Sequence, residues 1–236
     1  EEDAVLDDVG ARPGWLEDAA DAAAMRLAID QSNARWGPID GVIHAAGVPG
    51  AGEPSFLETA EEMRSVISPK LNGLAVLTEL LGDKPLDFVV LMSSINALAP
   101  SPNAGPYAAA NAALDSFAES DAVPSSWRRV LSINWTAWRD IGMAANLSVP
   151  DAKKAERAMF LKQAIEPKAG VQAFAYLLSS DQKRAVVTSF DLLKLVNRPR
   201  PRIVAAPSPA GAAGKERTYS PMDFVAPTSD VEHQLI

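Results

Sequence analysis

Two neighbouring stretches decide the fold, LDFVVLMSS (86–94) and PYAAANAALDSFA (106–118). Leu86 to Met92 is a continuous apolar run bounded by turns, the mark of a strand covered on both faces. Ser93 and Ser94 follow it directly. Tyr107 to Ser120 is rich in alanine, the best helix former. Between them Pro100, Pro102, Gly105 and Pro106 make a stiff loop that folds back over the strand end. Buried strands alternating with long helices mean βαβ units and a parallel sheet.

The same alternation continues outward in both directions. Ile39 to Ala46 (IDGVIHAA) is a second run predicted to be a strand buried on both faces. Before it, Asp21 to Trp36 reads as an amphipathic helix with Ala24, Leu27, Ala28 and Ile29 on its apolar face, stopped by Gly37-Pro38. After it, a helix is predicted from about Ala60 to Leu81, and Pro69 should break or kink it just upstream of Lys70. Towards the C-terminus, Val130 to Trp135 (VLSINW) is a third buried strand. Helices follow over Pro150 to Gln163 and Pro167 to Leu178, then a short strand over Ala185 to Thr188. The expectation is an α/β, Rossmann-like doubly wound parallel sheet over residues 18–197. Residues 1–17 are acidic and irregular. Residues 198–236 are dominated by Pro, Ala, Gly and Ser and read as a linker with too little apolar content to fold alone.

Composition narrows the chemistry. The chain has no cysteine, which excludes disulfides, thiolate metal sites and cysteine nucleophiles together. Its only histidines are His44 and His233, too few for a histidine-built metal site. A net charge of −8 argues against a nucleic-acid surface. No apolar run approaches the ~20 residues that span a bilayer, so membrane insertion is not expected and a cytoplasmic setting is. What remains is chemistry from Ser, Tyr, Lys, Asn and carboxylates.

In a parallel sheet, ligands sit beyond the carboxyl ends of the strands. His44-Ala45-Ala46-Gly47, Ser93-Ser94 and Asn134-Trp135 all fall there. Tyr107 lies thirteen residues after Ser94, at the start of the next helix. Two hydroxyls on one carbonyl would polarise it, but free tyrosine titrates near 10. An ammonium at ~4 Å, with an effective dielectric of ~20, would favour the phenolate by about 4 kcal/mol. Lys70, on the helix before the serine strand, is the candidate. Asn111 lies four residues after Tyr107 and so shares its helix face.

These residues carry a family resemblance. Many short-chain dehydrogenases have Tyr-x-x-x-Lys on this helix and an asparagine on the preceding one. Here Tyr107-Ala-Ala-Ala-Asn111 follows an upstream Lys70 in SPKLNG, an exchange that resembles the ketoreductase domains of modular polyketide synthases and of hybrid polyketide/nonribosomal peptide synthases. GPIDGVIHAAG (37–47), FVVLMSS (88–94), PYAAANAALDSFA (106–118) and SINWTAWRDIGMA (132–144) agree with it. The resemblance implies an NADPH-dependent β-ketoacyl reductase acting on a phosphopantetheine-tethered thioester, with an acyl carrier protein and other synthase domains as partners. It implies catalytic roles for Tyr107, Ser94, Lys70 and Asn111. Among cofactor contacts it implies Asp18, as an adenine partner, and Ala45, Ala46 and Gly47, beside the adenine ribose. Tyr107, Lys70, Asn134 and Trp135 complete the expected cofactor set.

The departures are equally specific. No G-x-G-x-x-G loop is present to hold a pyrophosphate, so the Gly-rich first βαβ part is expected to lie outside this chain. The Leu-Asp-Asp of some family members is replaced by Pro49-Gly50-Ala51, and the tryptophan of others aligns with Ala99. The tail DFVAP (223–227) resembles the linker towards a carrier protein. A free-standing short-chain alcohol dehydrogenase and a non-catalytic structural subdomain of a synthase remain as alternatives. Ser93 is expected to be structural and His44 a satisfied core histidine. Trp135 and Trp138 read foremost as packing residues. Asp18 stands between an adenine contact and an N-cap of the first helix. Lys153-Lys154 reads as a solvated face.

Overall fold

The computed structural model describes residues 18–50, 57–101, 103–146, 149 and 151–197. The N-terminal segment 1–17, the tail 198–236 and Pro150 lie outside the described residues, as does Ala51 of the Pro49-Gly50-Ala51 departure. Among the described residues eleven helices and strands follow one another, the short helices at 142–146 and 192–196 being additions to the expected set. They are α1 (Ala22–Trp36), β1 (Gly41–His44), α2 (Ala60–Leu81), β2 (Phe88–Ser94), α3 (Gly105–Glu119), β3 (Val130–Trp135), α4 (Gly142–Asn146), α5 (Asp151–Lys162), α6 (Pro167–Leu178), β4 (Arg184–Val187) and α7 (Leu192–Val196). The four strands form one sheet in the order β1-β2-β3-β4, parallel throughout. None of the described helices is long and apolar enough to cross a membrane.

Local chemistry explains where the helices begin. Thr59 and Glu62 form a capping box: the Thr59 hydroxyl accepts from the Glu62 N–H, and the Glu62 carboxylate accepts from the Thr59 N–H. Asp21, rather than Asp18, caps α1 by accepting from the N–H groups of Ala23 and Ala24. The helix α2 runs unbroken through Pro69, contrary to the expected break. A proline removes its own N–H and crowds the carbonyl four residues back, a local cost that the capping box on one side and the leucine stripe Leu74, Leu77, Leu80 and Leu81 on the other offset.

The core has two halves, one on each face of the sheet. On one face α2 and α3 pack Leu74, Leu77, Leu114 and Phe117 against Val89, Leu91 and Val130. On the other, α6 brings Leu177 and Phe174 onto Val90, Leu131 and Ile133. Two expectations need correction. The face that α1 presents is Ala22, Met25 and Ile29, while Leu27 is 62% exposed and no residue of this helix is fully buried. The run at 39–46 is not a strand buried on both faces: β1 spans only Gly41–His44, pairs among the described residues with β2 alone, and leaves Ile43 51% exposed.

Candidate active site

Parallel pairing aligns the carboxyl ends of β1, β2 and β3 on one rim, with His44 beside Leu91, and Ser94 beside Trp135. Ser94 ends β2 and is nearly buried. Its oxygen accepts from the Asn96 N–H at 3.2 Å and so starts the short 3₁₀ turn Ile95–Ala97. Tyr107 occupies the first turn of α3, which begins with Pro106 in place of a side-chain cap. The stiff loop does return this helix over β2, as its packing against the strand and the turn requires.

Lys70 is buried, with 2% of its surface exposed. Its ammonium donates to the Met92 carbonyl at 2.7 Å and lies 5.8 Å from the centre of the Tyr107 ring. Burial lowers its pKa to about 8, against a pull upward from Asp115. The Tyr107 hydroxyl moves the other way: burial raises it, and its hydrogen bonds to Ser94 and Asn111 only oppose the rise. The expected lowering of Tyr107 by Lys70 is therefore absent. The ammonium faces the ring and the Met92 carbonyl, and desolvation of the phenol dominates.

Asn111 is fully buried and donates to the Tyr107 carbonyl at 2.6 Å, while its own side-chain oxygen has no hydrogen-bond partner among the described residues. A buried amide oxygen of this kind is costly to leave bare. Ala45, Ala46 and Gly47 follow β1 as a short loop. A Cβ at Gly47 would stand 3.1 Å from the Lys70 Cε, so glycine lets the loop lie against the lysine stem.

Other expected site residues are placed differently. Asn134 has no exposed surface; its amide donates to Asp115 at 2.6 Å, to Ser93 at 3.0 Å and to the Ser94 carbonyl at 3.1 Å. It was expected to touch a cofactor, and the structure puts it beneath the site as a tie between strands instead. Trp135 is almost buried and packs on Trp138 with ring centres 4.9 Å apart, although its indole N–H has no acceptor among the described residues. Asp18 forms a local turn by accepting from the Ala20 N–H and is exposed. His44 is buried and donates from Nε2 to the Lys70 carbonyl at 2.8 Å, the neutral core role expected of it; burial lowers its pKa. Ser93 donates to the Asn111 carbonyl at 3.1 Å.

Sequence reasoning missed Asp115. It lies on the stripe Tyr107, Asn111, Asp115 of α3 and is buried against Ser132 and Asn134. The signal was there: two polar residues, Ser132 and Asn134, alternate within the apolar run VLSINW.

A model of the family described as KR domain matches residues 5–140. The chain belongs to that family. Among curated KR-bearing relatives, the polyketide synthase PksL of Bacillus subtilis is 38% identical over 144 residues, 58% of this chain and 3% of the synthase. PksN of the same organism is 32% identical over 187 residues, spanning 76% of this chain and again 3% of the synthase. A solved ketoreductase domain from the bacillaene assembly line superposes with a TM-score of 0.62 at 30% identity, over 72% of this chain and 41% of the other. A-type ketoreductases from a modular polyketide synthase give 0.65 at 30% identity, over 78% of this chain and 38% of theirs. This KR chain thus spans a few per cent of the first curated synthases and less than half of these solved domains. Its Rossmann-like sheet and its helix layers are those of the family's ketoreductases.

Proposed function

We propose that this KR chain supplies the catalytic half of an NADPH-dependent ketoreductase that reduces a β-ketoacyl thioester on an acyl carrier protein. The observation that carries the reading is one cluster: Ser94 ends β2 at the carboxyl rim, Tyr107 stands in the first turn of α3, which packs on that strand, and the Lys70 ammonium lies 5.8 Å from the tyrosine ring centre. A bound nicotinamide cofactor would deliver hydride to the β-carbon. Ser94, whose oxygen already accepts from Asn96, keeps its proton to orient the substrate carbonyl. Tyr107, raised by burial, stays protonated and gives its proton to the forming alkoxide as general acid. Lys70, at about 8, exchanges protons near neutral pH and restores the tyrosine. The bare Asn111 oxygen is suited to hold a water on that route.

The residues present fit one end of such a cofactor. An ammonium and a phenol suit a ribose with two hydroxyls, and Gly47 brings the small-residue loop Ala45-Ala46-Gly47 against the stem of that lysine. They do not include a Gly-rich phosphate loop. Asp18 is free to meet an adenine, since Asp21 does the capping. A synthase setting in the cytoplasm, with sister domains and a carrier protein as partners, follows from the same reading. The test is Tyr107→Phe in the complete ketoreductase, assayed with NADPH and a β-ketoacyl thioester. The expected loss is roughly 10²–10⁴-fold in rate with cofactor binding retained. A variant that keeps more than about a tenth of the rate overturns the assignment.

A further inference from the structure

The two hydroxyls of the proposed site stand at opposite ends of one loop, Ser94 closing β2 and Tyr107 opening α3. Asn96, two residues after Ser94, is half-buried in that loop and bonds to both of its ends. It presents two donors to one oxygen. Its backbone N–H meets the Ser94 Oγ at 3.2 Å, and its side-chain Nδ2 meets the same atom at 3.4 Å. On the other side, Oδ1 accepts from the Ser101 N–H at 2.8 Å. A backbone N–H can only donate, so Ser101 selects the amide oxygen and turns the NH2 group towards Ser94. From Ser101 the bonds run on into the helix. Its carbonyl accepts from the Ala104 N–H at 3.1 Å, and the Ala104 carbonyl accepts from the Ala108 N–H at 2.7 Å. That is the turn of α3 that carries Tyr107.

We propose that Asn96 is a positioning residue for Ser94: its side-chain amide fixes the rotamer of the serine hydroxyl and ties it to the first turn of α3. The role in turnover rests on the reductase reading, whereas the hold on the serine rests on the hydrogen-bond geometry. A serine side chain has three staggered rotamers, and one long hydrogen bond separates them by little. The backbone bond and the amide bond both lie at the long end of the range, so the rotamer is fixed by the two together. Neither group of Asn96 that faces the serine can accept its proton, so the O–H points away from Asn96. The amide itself cannot swing aside, because Ser101 holds its other end.

The geometry is read first, by NMR of the full 236-residue chain, where the Hα–Hβ couplings of Ser94 should report a single rotamer. Asn96→Ala should average them. Asn96→Asp should keep them sharp, since a carboxylate still accepts from Ser101 and takes the Ser94 proton instead of giving one. Asn96 lies outside both core clusters, so these substitutions leave the fold in place. Averaged couplings in the unmutated chain, or unchanged couplings in Asn96→Ala, overturn the proposal whatever the enzyme does. Turnover is read in the complete ketoreductase. There Asn96→Ala should lower kcat about five-fold with KM within about two-fold, the effect of one neutral hydrogen bond. Asn96→Asp should lower it roughly ten-fold further, because the serine proton is drawn away from the substrate carbonyl. In a Ser94→Ala background, Asn96→Ala should cost nothing more. A full five-fold loss there means that Asn96 acts on something other than Ser94, and overturns the proposal. A complete enzyme in which Ser94→Ala keeps the unmutated rate overturns the reductase role of Ser94, while the couplings still decide whether Asn96 holds it.

Discussion

Every residue of β3 is buried, whereas β1, at the edge of the sheet, keeps Ile43 51% exposed. Both are short apolar runs in the sequence, and both feed the same rim. The difference lies in their neighbours. β3 has a strand on each side and a helix layer on each face, so all its side chains leave water. Among the described residues β1 has one paired edge, and only Val42 and His44 find close cover from the α2 side. A continuous apolar run therefore records what a strand is built to meet, while burial records what meets it.

The contrast is broken most directly at Leu131, which has no exposed surface. Leu131→Ala should cost about 2–5 kcal/mol in urea unfolding of the 236-residue chain. A loss below about 1 kcal/mol would mean that the second half of the core collapses readily around the gap. Between the two strands stands Lys70, tied to β2 by the Met92 carbonyl and to β1 by His44. Its pKa is about 8 when folded, against 10.5 for an unperturbed lysine, so between those values the unfolded chain binds more protons. Stability should accordingly rise with pH across that window, by on the order of 2 kcal/mol for this group. The check is the unfolding midpoint at pH 8 and pH 10, with Lys70→Met as the reference that lacks the rise. The smallest effect belongs to β1: Ile43→Thr should stay within about 0.5 kcal/mol, as surface changes do. A loss of 2 kcal/mol or more there would show that something covers this edge in solution.

Much of this was legible in the sequence. The strand over Val130–Trp135 and the helices over Ala60–Leu81 and Pro167–Leu178 have the limits their patterns predict, because apolar period and turn residues agree there. The placing of Ser94 at a strand end and Tyr107 at a helix start was legible because a proline-stiffened loop joins the two elements. The helix α1 was misread in its facing, since alanines on every side leave the stripe undefined and neighbours choose it. Asp115 was missed and Asn134 was read as a ligand contact because the two were not examined together: only the spacing of Ser132 and Asn134 within the apolar run signals a buried polar partner on the facing helix. Nor does any pattern along the chain reveal that burial raises the Tyr107 pKa.

The meeting of Asp115 with two residues of β3 also guards against slippage. Ser132 and Asn134 are two apart and point to the α3 face, while Leu131 and Ile133 point to the opposite one. A one-residue shift of β3 along β2 would turn both polar side chains into the apolar layer under α6 and strand the carboxylate without a donor. Each misplaced group would cost about 1–3 kcal/mol. Alternative alignments of the two central strands are thereby discouraged before any ligand arrives, by three side chains that never reach the surface.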